Sequence, residues 1–213
     1  MNHKLVKSLR VSRPDLPLSE ATITIATSLI ESGRNVVSFV KKGEGVLYYD
    51  SSLAYVTDDE DIQASDEGIT LTREYLRATP YKDKKGEIQF RTFPIKGDVK
   101  AGEKILVRLT LSARRNYRYI VFEDPLPSGC EVVTRGEDYY FDHPYWWARE
   151  EVHDDKVAFF VKSLRAGEKQ EFTYEMSAGV PGHYHVMPTR GYGMYRPDVR
   201  GNGKETSLTI RQP

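Results

Sequence analysis

Apolar and polar residues alternate along most of this chain with a period of two. The clearest instance lies in Glu103–Glu131, where Ile105, Val107, Leu109 and Leu111 share one parity and Arg108 and Thr110 the other. That is the pattern of a strand with one face buried and one wet. Tyr117–Phe122 is a second run, aromatic and β-branched throughout, as strands favour. Pro125 and Pro127 lack N–H groups and end the ladder. Gly129 frees the turn, and Cys130–Val133 opens a third strand. Strands joined by loops this short predict an antiparallel sheet with one face on a core.

The same reading applies elsewhere. Leu5–Val11, Ala21–Ala26, Asn35–Val40 and Val46–Val56 read as strands, the last with Leu47, Tyr49, Leu53 and Tyr55 on one parity. They predict a partial β-sandwich over residues 1–57, an open sheet that needs a second layer, and no partner is evident in that stretch. Residues 58–66 are acidic and polar and read as a linker. Over residues 67–213, Ile69–Arg77, Ile88–Ile95, Lys156–Lys162, Gln170–Ala178, Gly182–Met187 and Thr206–Ile210 join the strands above. Roughly eight or nine short strands with turn signals every ~8–12 residues predict a complete sandwich. The fold class expected is therefore all-β, an antiparallel β-sandwich preceded by a smaller partial one. No long helical period occurs; Tyr145–Glu151 leaves room for a short helix.

Composition narrows the functions. Among 213 residues, 31 Lys and Arg balance 31 Asp and Glu, so no global charge draws the chain to nucleic acid or an anionic membrane. Cys130 is the single cysteine, which excludes an internal disulfide and a cysteine-based zinc site. Its place at a strand start suits a small buried hydrophobe. No run approaches the ~20 apolar residues of a membrane helix, and the N-terminus lacks the apolar core of a signal peptide. The chain is thus expected to be cytosolic, or a piece of something longer. The acidic linker lacks calcium-loop spacing. Asp142, His143, His153, Asp154, Asp155 and the pair His183 and His185 are metal-capable, but scattered groups of this kind are usually solvated or packed. Gly191-Tyr192-Gly193 is too short for a dinucleotide fingerprint, and no nucleophile elbow or phosphate loop occurs. The expectation is a non-enzyme without cofactor or metal.

Two aromatic features stand out. Tyr139, Tyr140, Tyr145, Trp146 and Trp147 cluster in one loop, as either an interface or sugar-stacking surface or rings folded over the sandwich end. Met194 and Tyr195 lie between Gly193 and Pro197. They offer either apolar, adaptable cover for a reactive bond or a strand-end aromatic packed on its own core.

A set of segments carries a family resemblance by order and spacing: Gly68-Ile-Thr-Leu-Thr-Arg-Glu-Tyr75, Val99-Lys-Ala-Gly-Glu103, Val121-Phe-Glu-Asp-Pro-Leu-Pro-Ser-Gly129, Val152-His-Asp-Asp-Lys-Val-Ala-Phe-Phe160, Leu164-Arg-Ala-Gly-Glu168, Pro181-Gly-His-Tyr-His-Val-Met-Pro188 and Met194-Tyr-Arg-Pro-Asp-Val-Arg-Gly201. With these, the second region resembles the C-terminal macroglobulin domain of bacterial alpha-2-macroglobulins. Gly33-Arg-Asn-Val-Val37 and Lys42-Gly-Glu-Gly-Val-Leu-Tyr-Tyr49 resemble the segment that follows the thioester domain there. The resemblance implies the tail of a larger, non-catalytic protease-trapping inhibitor. Residues 1–57 would then be half of a domain interrupted by the thioester domain. The family's Cys-x-Glu-Gln motif is absent, since Glu131, Val132 and Val133 follow Cys130. Met194 and Tyr195 would cover the parent's thioester region, and Tyr145, Trp146 and Trp147 would serve as interface aromatics. Implied partners are the other domains of the parent and, through it, target proteases, with no nucleic acid and no membrane contact by this segment. The implied location is the periplasm or cell envelope. The alternative is an immunoglobulin-like cell-surface module or a carbohydrate-binding sandwich using Trp146 and Trp147. The lack of an internal repeat argues against a tandem surface array.

Overall fold

The computed structural model describes residues 1–10, 22–54, 56, 61–133 and 148–213. The chain divides into two compact units, Met1–Val56 and Thr57–Pro213.

The second unit is built of antiparallel β-sheet. Its strands are β1 (Ser65–Glu67), β2 (Ile69–Lys82), β3 (Ile88–Pro94), β4 (Val99–Lys100), β5 (Lys104–Ala113), β6 (Tyr117–Pro125), β7 (Cys130–Val132), β8 (Ala148–Val152), β9 (Lys156–Leu164), β10 (Lys169–Ala178), β11 (Gly182–Val186), β12 (Arg190–Gly193), β13 (Arg196–Asn202) and β14 (Thr206–Arg211). One sheet runs β1-β13-β12-β6-β9-β8, a second β3-β2-β5-β10-β7, and a third β11-β14-β4. The pairing of β4 with β14 is parallel, over two residues.

The predicted parities set the layers. Ile105, Val107, Leu109 and Leu111 of β5 are fully buried, as are Phe172, Tyr174 and Met176 of β10, its neighbour in the second sheet. From the first sheet, Ile120 and Phe122 of β6 and Val157, Phe159 and Val161 of β9 enter the same core. Phe122 stacks on Phe159 with ring centroids 4.9 Å apart and meets Phe172 at 5.0 Å. A fully buried ring of this size stabilises by roughly 1.5–3 kcal/mol relative to an exposed one, so this trio is a principal link between the two large sheets. Cys130 lies in the core as a free, buried thiol, and burial pushes its pKa up to about 11. A group so reluctant to form thiolate behaves as the small hydrophobe expected of it.

Two expectations need correction. The Tyr145–Glu151 stretch is β-strand, not helix, from Ala148 onward, because β8 pairs along β9 from Ala148↔Val161 to Val152↔Val157. The strands expected in the first unit are absent among its described residues. The regular element there is a 3-10 turn, Thr27–Leu29. Asn2 and Val36 exchange bonds, with Asn2 Nδ2 also donating to Asn35 Oδ1 at 2.9 Å, and Phe39 stacks on Tyr49 at 4.1 Å. No described residue of this unit is buried. An alternating segment gains little by pairing when no second layer covers its apolar face.

Candidate functional site

The second unit places two unlike features at the two ends of β12. One is a buried polar cluster. Alternation along β2 puts position 73 on the core face with Ile69, Leu71 and Tyr75, and alternation along β6 does the same for position 124 after Ile120 and Phe122. Those positions hold Arg73 and Asp124, with side chains 2% and 0% exposed. Asp124 Oδ1 accepts from Arg73 Nη1 at 2.9 Å and from Thr189 Oγ1 at 2.5 Å, while Oδ2 accepts from Tyr174 OH at 2.7 Å. Arg73 Nη2 donates to Thr206 Oγ1 at 2.7 Å and to the Val186 carbonyl at 3.3 Å. Burial alone would lower the pKa of Arg73, but the Asp124 carboxylate outweighs it and the value is raised. Burial first, and then the Asp124 charge, hold the Tyr174 hydroxyl well above its ordinary range, so it stays a donor. The cluster joins β2, β6, β10 and β14 and fixes Val186 and Thr189, the residues that lead into β12.

The other feature is the far end of β12, which turns tightly into β13. Gly193 pairs with Arg196, so Met194 and Tyr195 form the tip of a hairpin. They are 47% and 74% exposed. Neither side chain belongs to the core of the sandwich. The Tyr195 ring instead meets the Tyr119 ring edge-to-face, with centroids 5.6 Å apart and planes at 86°. The Met194 N–H donates to the Tyr119 carbonyl at 2.8 Å. Tyr192, one outward position back along β12, is also exposed. On the β13 side, Arg196 grips Asp198 through two bonds of 2.9 and 2.6 Å. The tip is thus an apolar, aromatic projection flanked by the Arg196–Asp198 ion pair.

The hairpin lies close against β2 because two of its inward positions, Gly191 and Gly201, are glycines, while Val199 adds its side chain to the core. A Cβ on Gly191 would meet Leu71 Cδ1 at 3.0 Å, and one on Gly201 would meet the Ile69 carbonyl oxygen at 2.2 Å. Gly191-Tyr192-Gly193 is therefore a packing motif. His183 and His185 do share a face of β11, with ring centroids 5.6 Å apart, but His183 Nδ1 pairs with Thr209 Oγ1 at 2.8 Å and His185 Nδ1 with Glu205 Oε1 at 3.2 Å. No set of three metal-capable side chains converges among the described residues. Tyr145, Trp146 and Trp147, with Tyr139, Tyr140, Asp142 and His143, lie outside the described residues. Tyr119, Arg73 and Asp124 were not singled out by sequence. The last two carried a signal, a charge on a core parity; Tyr119 carried none.

The second unit is thus a sandwich with one ion pair, Arg73–Asp124, buried in its interior and an aromatic pair exposed at a hairpin tip. Residues 68–198 match the family described as bacterial alpha-2-macroglobulin MG10 domain, and the chain belongs to that family. Alpha-2-macroglobulin of Xylella fastidiosa (strain Temecula1) is 27% identical over 138 residues, covering 55% of this chain and 8% of that protein. Circularly permutated Ras protein 2 of Dictyostelium discoideum is 26% identical over 184 residues, covering 86% of this chain and 4% of that protein. That is more than residues 57–213 alone can supply, so the likeness reaches into the first unit. Among solved structures, a tyrosine-to-glycine mutant of Salmonella alpha-2-macroglobulin aligns with TM-score 0.56 at 22% identity, over 71% of this chain and 10% of that one. The Salmonella protein reacted with methylamine aligns with TM-score 0.54 over the same shares. The chain therefore spans a tenth or less of these relatives. No helix among the described residues is long and apolar enough to cross a membrane.

Proposed function

We propose that this chain is the non-catalytic C-terminal module of a bacterial alpha-2-macroglobulin-like, broad-spectrum protease inhibitor, acting in the periplasm or cell envelope. Its Met194–Tyr195 tip docks against the thioester region of the parent and shields it from water until the parent is cleaved. Residues 1–57 contribute half of a neighbouring domain, completed by chain that lies elsewhere in the parent. The observation that carries this reading is the exposure of Met194 and Tyr195 at the end of a hairpin anchored in the core. An apolar pair held out in this way suits an interface, where a Tyr ring contributes area at little entropic cost. The Salmonella relative, solved after reaction with methylamine, indicates the assay. In the longer parent protein, Tyr195→Gly is expected to accelerate reaction with methylamine at least about tenfold, equivalent to ~1.4 kcal/mol of barrier, and to reduce capture of added trypsin. An unchanged amine rate would overturn the shielding role.

A further inference from the structure

The tip does not support itself. Tyr119 stands at φ +57°, the left-handed region, and is the one non-glycine residue described in the second unit to do so. The β6–β9 register runs through Arg118↔Ser163 and Ile120↔Val161 and leaves Tyr119 out of the ladder. A left-handed backbone is costly for a large aromatic side chain and persists only where the surroundings impose it. Here two contacts coincide with it. The Tyr119 carbonyl receives the Met194 N–H at 2.8 Å, continuing the β12–β6 pairing one residue past Gly193↔Ile120. Its ring, 44% exposed, meets the ring of Tyr195 edge-to-face. One residue thus holds both members of the tip, Met194 by its main chain and Tyr195 by its side chain. The core needs neither contact, since Tyr119 is absent from it.

We infer that Tyr119 is a positioning residue, which fixes the Met194–Tyr195 turn and holds the Tyr195 ring in the orientation that docks. The inference rests on the docking reading above and adds to it the residue that makes the tip a rigid element. Rigidity matters because an interface aromatic that must be ordered on binding loses part of its contribution to that ordering.

Glycine is at ease left-handed, so Tyr119→Gly removes the ring without opposing the backbone. The chain should keep its melting temperature while the tip loses its support. A merely structural residue would behave in the opposite way. Tyr119→Asn, the other substitution tolerant of this conformation, guards against an effect peculiar to glycine. In the parent protein, methylamine reaction should accelerate at least about threefold in Tyr119→Gly and Tyr119→Asn, the scale of a direct pairwise coupling. Tyr119→Phe, which keeps the ring, should react at the parental rate. The double variant Tyr119→Gly/Tyr195→Gly should react no faster than Tyr195→Gly alone. If Tyr195→Gly is fast and both Tyr119→Gly and Tyr119→Asn are parental, the positioning role is wrong and the docking role stands. Multiplying rates in the double variant would also sink it, since Tyr119 would then act independently of Tyr195. If Tyr195→Gly itself reacts at the parental rate, the docking reading fails and takes this one with it.

Discussion

Val46–Val56 and β5 have similar sequence patterns and opposite fates. Both alternate, one with Leu47, Tyr49 and Leu53 on a single parity, the other with Ile105, Val107, Leu109 and Leu111. In β5 every one of those side chains is fully buried, whereas Leu47, Tyr49 and Leu53 are 49%, 65% and 66% exposed and no ladder forms among the described residues around them. The difference lies in the surroundings. β5 has β2 and β10 as hydrogen-bonded neighbours and the inner face of a second sheet to pack on. Alternation specifies a face; burial requires a second layer to meet it. A complete sandwich supplies that layer from its own sequence. A half-domain, as proposed for residues 1–57, receives it from elsewhere in the parent.

The comparison breaks most readily where the second unit has committed most. Asp124→Asn would leave the Arg73 guanidinium buried without its counter-charge, and loss of one partner from a buried pair costs roughly 3–5 kcal/mol. Denaturant titration of the chain should show a midpoint lowered accordingly, with the first unit's signals unaffected in shape. Leu109→Ala, which empties a fully buried position of β5, should follow at roughly 2–5 kcal/mol. A loss under ~1 kcal/mol in either case would mean that the second unit's layers are no more consolidated than the first unit's.

The same physics explains what could be read in advance. β2, β5, β6, β9, β10 and β14 were legible because their inward positions carry Val, Ile, Leu, Phe or Tyr. β12 and β13, which carry the site, were not. Their inward positions include Gly191, Gly193 and Gly201, two of which let the backbone lie on β2, and Val199 is the one apolar side chain among them, too little alternation to read as strand. The Met194–Tyr195 pair was legible as a candidate from its composition and the family resemblance. Its support by Tyr119 was not, because a left-handed backbone and a ring contact across 76 positions in sequence leave no local pattern. Arg73 occupies a gap in the series Ile69, Leu71, Tyr75. A charge in that gap marks a buried pair, but its partner, 51 positions away, is visible only in the fold.

A smaller effect is expected where the second unit begins. Asp66 accepts from the Gly68 N–H at 3.0 Å, the Thr70 hydroxyl at 2.9 Å and Arg114 Nη2 at 2.8 Å. Burial pulls its pKa up, but the bonds from Gly68, Thr70 and Arg114 outweigh that and hold it below the ordinary value. A carboxyl lowered on folding stabilises above its unfolded pKa of ~3.9, and the contribution is lost as pH falls through the folded value. Asp66→Asn should cost under about 1 kcal/mol at pH 7, since water screens so open a group. The gap between variant and parent should close as pH falls below about 4. A gap independent of pH would show that packing, not charge, gives Asp66 its role.

The smallest expected effect is the sharpest test of the comparison. Leu47→Ala removes a side chain of the same type, on the same kind of alternating pattern, as Leu109→Ala. Because Leu47 is half exposed and no second layer covers it among the described residues, truncation should change stability by no more than ~0.5 kcal/mol, the range of ordinary surface substitutions. Amide exchange should agree, with the amides of residues 46–54 exchanging through local fluctuation and those of β5 only through global opening. In the parent protein the expectation reverses. If residues 1–57 are half of a domain completed by other chain, Leu47 becomes a core position there. The same substitution should then cost roughly 2–5 kcal/mol, as a buried leucine does. A Leu47→Ala change that is silent in both contexts would leave the half-domain reading without support, because the alternation would then have no layer to meet anywhere.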